Sequence, residues 1–263
     1  MSQSQTLSLA AGILPEHNGV VVAQAAVEAG YSHFGITVDE AWTAADTRAV
    51  KQLQRDNDLS CLDVEVVWLD PGAAVTDLHH KIIDVGAELG AANVLIVSSE
   101  AEPARVAAAQ HQLCELCSDS GMRVVLEFLR ITAITRPSQA LEIARLADHS
   151  AAGVLVDSLH LARSGESSEV LAGSAALLPY VQLCDAPAHF SEDRAGLLED
   201  ALDRRSAPGE GELPLEDTLA LNPGCPLSLE VRSKRYREDY PDPASRARAI
   251  RLRTEEFLQS RTA

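Results

Sequence analysis

Nowhere in this sequence does an apolar run reach the roughly 18 to 20 residues that a membrane-spanning helix requires. Basic residues are scarce as well: 22 Lys and Arg stand against 39 Asp and Glu, for a formal net charge of -17. A field of that sign repels phosphate backbones and anionic lipid, so neither nucleic acid nor a membrane is expected as a partner. Met1–Gln5 is polar and lacks the basic segment that opens a secretory signal, which leads to the expectation of a cytoplasmic protein. Disulfide pairing is poorly served too. Cys61, Cys114, Cys117, Cys184 and Cys225 are an odd set at irregular spacing, not a disulfide framework. Cys114 and Cys117 form a CxxC inside a helical pattern, but no second Cys or His pair accompanies it, so core packing is the reading and zinc is not.

What is present is the composition of an ordinary folded protein, with 46% hydrophobic and 23% charged residues. The 263 residues suit one domain spanning 1–263. Short β-branched runs recur at Thr6–Ala10, His33–Thr37, Leu62–Trp68, Asn93–Val97, Val124–Phe128, Gly153–Asp157, Tyr180–Cys184 and Leu227–Val231. Between them, apolar residues at helical spacing predict helices over Val20–Ala29, Ala41–Asp56, Val75–Leu89, Glu102–Ser118, Pro137–Ala147 and Ser168–Leu177, with a last one near Ser245–Leu258. Gly30, Gly90 and Gly121 follow three of these patterns as helix stops. Eight βα units predict an α/β fold, a closed (β/α)8 TIM barrel. Residues 186–215 break the rhythm with a long loop, expected over the face that the loops after strands build.

At that face, polar residues at strand ends converge. Glu127, Asp157, Gln182 and Glu230 each sit in an apolar strand run, where a carboxylate is costly unless paired or metal-bound. Any one of these acids could instead pair with a buried Arg or cap a helix. Four on successive strands point to a single metal site, and an oxygen-rich set suits Mn²⁺ first, with Mg²⁺ or Co²⁺ as substitutes. His160, just past a strand end, could bind substrate or move a proton, or cap the next helix. Asp185 could contact substrate or fix its loop, and Arg205 could clamp substrate or be solvated. Asp63 and Glu65 alternate into the barrel, where a structural salt bridge is the favoured reading. Trp42 and Trp68 could wall a pocket or be core, while His79, His80, His111 and His149 are read as surface residues.

These motifs resemble the xylose isomerase-like barrel superfamily, also called sugar phosphate isomerase/epimerase. The resemblance rests on Glu127, AspSerLeuHisLeuAlaArgSerGly at 157–165, ValGlnLeuCysAspAlaPro at 181–187, ArgSerAlaProGlyGluGlyGluLeuProLeu at 205–215 and SerLeuGluVal at 228–231. It implies that Glu127, Asp157, Gln182 and Glu230 ligate a metal and that His160 faces substrate. Ketose 3-epimerases of the superfamily generally carry His where this chain has Gln182, and an Arg where it has Ala188. Gln at that position is similar to the 3-dehydroshikimate dehydratases.

The chemistry so implied is a metal-dependent isomerase or epimerase acting on a sugar, keto-polyol or related hydroxy-ketone. Glu127 and Glu230 serve as proton-transfer groups, and the enediolate charge is stabilised by the metal. The alternative is a dehydratase (lyase) on a dehydroshikimate-like or inosose-like substrate, with His160 as acid. An endonuclease IV-like phosphodiesterase would need a basic groove, which the charge argues against. A barrel that binds without turnover would not need both Glu127 and Glu230. A homo-oligomer is compatible with the sequence.

Overall fold

The computed structural model describes residues 5–261, so Met1–Ser4 of the polar N-terminus lie outside the described residues. Eight parallel strands pair in chain order and close on themselves: β1 (Leu7–Leu9), β2 (His33–Thr37), β3 (Ser60–Leu69), β4 (Asn93–Ser98), β5 (Arg123–Glu127), β6 (Ala152–Asp157), β7 (Val181–Leu183) and β8 (Leu227–Leu229). Around them run α1 (Gly19–Ala29), α2 (Ala44–Asn57), α3 (Asp77–Leu89), α4 (Pro103–Leu116), α5 (Pro137–Leu146), α6 (Ser158–Arg163), α7 (Arg194–Asp203), α8 (Leu215–Leu219), α9 (Lys234–Asp239) and α10 (Pro243–Ser260). This is the expected α/β (β/α)8 barrel. No described helix is long and apolar enough to cross a membrane.

The alternation of a strand's side chains sorts the residues into two layers. Val124 and Leu126 of β5, Val154 and Val156 of β6, Val181 and Leu183 of β7, and Leu227 and Leu229 of β8 face the helices and join the main apolar core. Their neighbours point inward. Leu62, Leu95, Val97, Val125, Leu155 and Tyr180 form a smaller apolar plug inside the barrel. The helices begin where side chains cap free amides. Asn18 accepts from the Val21 amide, and Thr43 with Asp46 and Thr76 with His79 form capping boxes. Gly30 and Gly90 adopt the left-handed conformation just past α1 and α3, as expected of helix stops.

Three expectations are corrected. Ser168–Leu177 is not one helix but two short turns, Ser168–Leu171 and Ala175–Leu177, because Gly173 between them takes φ +74°. The helix following β6 is the six-residue α6 instead. Residues 186–215 are not a plain loop, since α7 lies within them. Its apolar residues meet the barrel mouth, so no core-facing stripe marks it in the sequence. His79 is buried, its Nδ1 accepting the Thr76 amide at 3.2 Å, and is not a surface residue. All five cysteines are free and buried, as the packing reading requires.

Candidate active site

At the C-terminal end of the barrel a cavity of about 300 Å³ opens. Glu127, His160, Gln182, Arg205 and Glu230 line its polar floor, and Trp68, Leu95, Leu129, Ile131, Leu198 and Leu202 its walls. Leu198, Ala201 and Leu202 come from α7, so the long connection covers this face as anticipated. Glu127 ends β5 and Asp157 ends β6. Gln182 pairs in register with Asp157 on one side and Ser228 on the other, and Glu230 follows β8. Inward alternation on four consecutive strands therefore brings together side chains more than a hundred residues apart. Gly12 makes room for one of them, because a Cβ there would lie 2.5 Å from Glu230 Oε1.

Donor atoms of Glu127, Asp157 and His160 lie within 4.8 Å of one another, and all three residues are buried. His160 is thus a member of the cluster that could hold a metal ion. Gln182 is 1% exposed, and its Oε1 has no hydrogen-bond partner among the described residues. A buried carbonyl oxygen without a donor carries an appreciable penalty. The orphaned amide oxygen beside three clustered donors is an arrangement that a cation would satisfy.

Arg205 organises the acids. Its Nη1 donates to Asp157 Oδ2 at 2.6 Å and stands 3.0 Å from Glu230 Oε2. Nε donates to the Ala201 carbonyl at 2.9 Å, and Nη2 lies 3.3 Å from His160 Nε2. Asp157 Oδ1 in turn accepts the amides of Leu159 at 2.7 Å and His160 at 3.0 Å, capping α6. Burial raises the Asp157 pKa, but Arg205, His160 and these hydrogen bonds outweigh it and hold the pKa below the usual value. Glu127 behaves oppositely. Burial first, then the charges of Glu230 and Asp157, push it well above the ordinary carboxylate range. Burial takes Glu230 up to about 7 against the opposing pull of Arg205. Burial also drives the His160 pKa down to about 4, leaving the ring neutral at pH 7. A guanidinium only donates, so the contact with Arg205 makes Nε2 an acceptor and puts the ring hydrogen on Nδ1.

Asp185 fixes its loop. Oδ2 accepts the amides of Gly209 and Gly211 at 3.0 and 2.9 Å, and Oδ1 accepts that of Leu213 at 2.9 Å. It is not a cavity-lining residue, and it ties the ProGlyGluGly segment down. A Cβ on Gly211 would sit 2.5 Å from its Oδ1. Trp42 is core, its Nε1 donating to Thr47 at 2.9 Å, whereas Trp68 lines the cavity.

The salt bridges favoured for Asp63 and Glu65 are not found among the described residues. Asp63 lies deep in the barrel, where burial and the charge of Glu230 raise its pKa to about 7. Glu65 lines the cavity and accepts from Thr37 Oγ1 at 3.3 Å. Sequence reasoning passed over Arg232, also a lining residue. Its position two residues beyond Glu230, on the same inward alternation, was the available signal.

The profile of the family described as Xylose isomerase-like TIM barrel matches residues 23–253. No curated protein matches the chain. Among solved structures, the IOLI protein with a bound zinc atom superposes with a TM-score of 0.79 at 16% identity, over 97% of this chain and 98% of that one. A xylose isomerase-like TIM barrel/4-hydroxyphenylpyruvate dioxygenase fusion protein gives a TM-score of 0.77 at 23% identity, over 98% of this chain and 44% of the fusion. The probable 3-DHS dehydratase AsbF of Bacillus anthracis gives 0.71 at 13%, over 94% and 98%. Identities this low speak to the fold. The extent of the profile match and the closed eight-stranded barrel together place the chain in the xylose isomerase-like TIM barrel family.

Proposed function

We propose that this protein is a divalent-metal-dependent isomerase or epimerase that removes and returns a proton next to a carbonyl of a small hydroxy-ketone. The observation that carries the reading is the buried cluster of Glu127, Asp157 and His160, of which Glu127 and His160 line one cavity together with Gln182, whose amide oxygen is unpartnered. Glu127, Asp157, Gln182 and Glu230 would hold the cation, with His160 adjoining. The oxygen-rich donors favour Mn²⁺, with Mg²⁺ or Co²⁺ as substitutes. The zinc of the IOLI structure makes zinc the competitor to test. When bound, such a cation polarises a carbonyl and offsets the negative charge that develops on its oxygen.

The carboxylates divide the remaining work. Asp157 is held by two amides and Arg205 and has little freedom to take a proton. Glu127 makes no comparable set of bonds among the described residues; its Oε1 stands 3.9 Å from Nε2 of the neutral His160 ring. Glu230 lines the cavity and is held 3.0 Å from Arg205 Nη1, where its carboxylate can reach a proton of a bound substrate. Glu127 and Glu230 therefore move the proton, and Arg205 keeps Glu230 and His160 oriented. The apolar walls limit water, which would compete for the reacting proton.

A dehydratase is the second reading, favoured by the amide at position 182, the feature shared with the 3-dehydroshikimate dehydratases. Against it, a neutral His160 with Nε2 accepting has no proton on that nitrogen for a leaving hydroxyl. Incubating metal-loaded protein with hydroxy-ketones in D2O separates the two. Deuterium incorporation without loss of water supports the isomerase, and loss of water with a new enone absorbance supports the dehydratase. Glu127→Gln and Glu230→Gln are each expected to lower turnover by about two to four orders of magnitude at saturating metal. Near-normal rates in both would reject the scheme.

A further inference from the structure

The cavity holds two guanidinium groups in different situations. Arg205 is engaged on all sides, by Asp157, Glu230, the Ala201 carbonyl and His160. Arg232 is not. Its Nε is buried without a hydrogen-bond partner, and among the described residues its side chain makes no close ion pair; its charge acts on the Glu65 and Glu230 carboxylates only through space. A buried guanidinium N–H left unpaired is costly, and the cost is removed by an acceptor that enters the cavity. The backbone holds the residue in place, since the Arg232 carbonyl accepts the Arg205 amide at 3.2 Å. Inward alternation after β8 runs Ser228, Glu230, Arg232, which sets Arg232 one step nearer the mouth than the proton-transfer carboxylate.

We propose that Arg232 anchors a carboxylate on the substrate, making the natural substrate a monoanionic hydroxy-keto acid and not a neutral sugar or a sugar phosphate. This rests on the proposed proton-transfer chemistry of the same cavity and names the substrate class for it. Three features choose the monoanion. The planar fork of a guanidinium matches an oxyanion, carboxylate or phosphate, with two parallel hydrogen bonds and so favours an acid over a neutral sugar. Glu65, Glu127 and Glu230 line the same space, so each added negative charge on a ligand meets more repulsion, and a single charge enters at lower cost than a phosphate dianion. The walls supplied by Trp68, Leu129, Ile131 and Leu202 accept a carbon skeleton, whereas a fully hydroxylated chain would leave its hydroxyls unpaired against them.

The test is equilibrium binding by calorimetry, with three probes that share a polyhydroxylated ring: quinate, myo-inositol and myo-inositol 1-phosphate. Each is measured with Mn²⁺-loaded and with chelator-treated protein. Wild type should bind quinate at least about tenfold more tightly than either other probe. Arg232→Ala should abolish that preference, quinate losing at least about tenfold more affinity than myo-inositol, and Arg232→Lys should keep part of it. Arg232→Gln, of similar size, guards against a folding defect, which circular dichroism would reveal. Equal affinity for the three probes, no binding of quinate, tighter binding of the phosphate, or an Arg232→Ala protein that still prefers quinate would each overturn the proposal. Failure of the proton-transfer reading shows separately, as absent metal or absent deuterium exchange in a protein that nonetheless prefers the acid.

Discussion

Arg205→Gln tests the electrostatics of the site most directly. The guanidinium is about 97% buried and lies 2.6 Å from Asp157 and 3.0 Å from Glu230, both buried. Removing it leaves two carboxylates in a poorly solvated cavity beside Glu127 and Glu65. Breaking a buried ion pair from one side costs about 3 to 5 kcal/mol. At about 2 to 4 °C per kcal/mol for a chain approaching this size, chelator-treated variant should melt roughly 6 to 20 °C below wild type. The deficit should grow between about pH 6 and pH 8, because Glu230 with a pKa near 7 can escape by staying protonated at the lower end. Mn²⁺ should then close part of the gap. Metal at a hundredfold excess over its Kd stabilises either protein by about 2.7 kcal/mol, and in the variant it also replaces a missing positive charge. The assay is thermal unfolding of both proteins with chelator and with Mn²⁺ across this pH range. A deficit under about 1 kcal/mol, or one that metal leaves unchanged, would refute the view that Arg205 is the countercharge of the metal-free site.

Three further outcomes follow from the same geometry. Burial raises the pKa of Asp63, Glu65 and Glu230 to about 7 in the folded protein; such groups stabilise the fold fully below their unfolded values near 4 and lose that contribution as pH rises through about 7. Chelator-treated protein should accordingly lose melting temperature from about pH 5 to 7.5, and a flat profile would contradict the assignment. Gln182→His should retain metal by elemental analysis but change the ratio of proton exchange to elimination, since imidazole and amide differ in donor strength; unchanged metal affinity and unchanged ratio would remove Gln182 from the site. Asp185→Ala should leave metal content unchanged and speed hydrogen exchange at the Gly209, Gly211 and Leu213 amides by at least about tenfold, a loss of roughly 1 to 3 kcal/mol of local protection, whereas unchanged exchange would mean the loop is held by other contacts.

Much of the barrel was legible because its signals are local. A strand buried on both faces reads as a short β-branched run, and a helix covering it reads as apolar residues at helical spacing, so strand positions such as His33–Thr37 and Asn93–Ser98 emerged within a residue. Where that local signal was weak, the reading failed. The α7 helix presents Leu198 and Leu202 to a cavity, not to the core, and Gly173 divides what looked like one helix.

The candidate site split along the same line. Glu127, Asp157, Gln182 and Glu230 stood out because an oxygen-bearing side chain at the end of an apolar strand is conspicuous in the sequence by itself, and the closed barrel needs only the period of two to aim them at one point. Which acid is charged, and which arginine is committed, could not be read that way. Asp157 is held ionised, and the pKa of Glu230 that burial raises to about 7 is opposed, by one guanidinium that arrives from residue 205, on a connection whose path the sequence does not specify. Asp185 became a loop anchor for the same reason, its partners being backbone amides of residues 209 to 213. Strand-end chemistry is a property of local pattern and belongs to the sequence. Charge state depends on distances of a few ångströms between distant segments and on exclusion of water, and those existed only once the chain had closed.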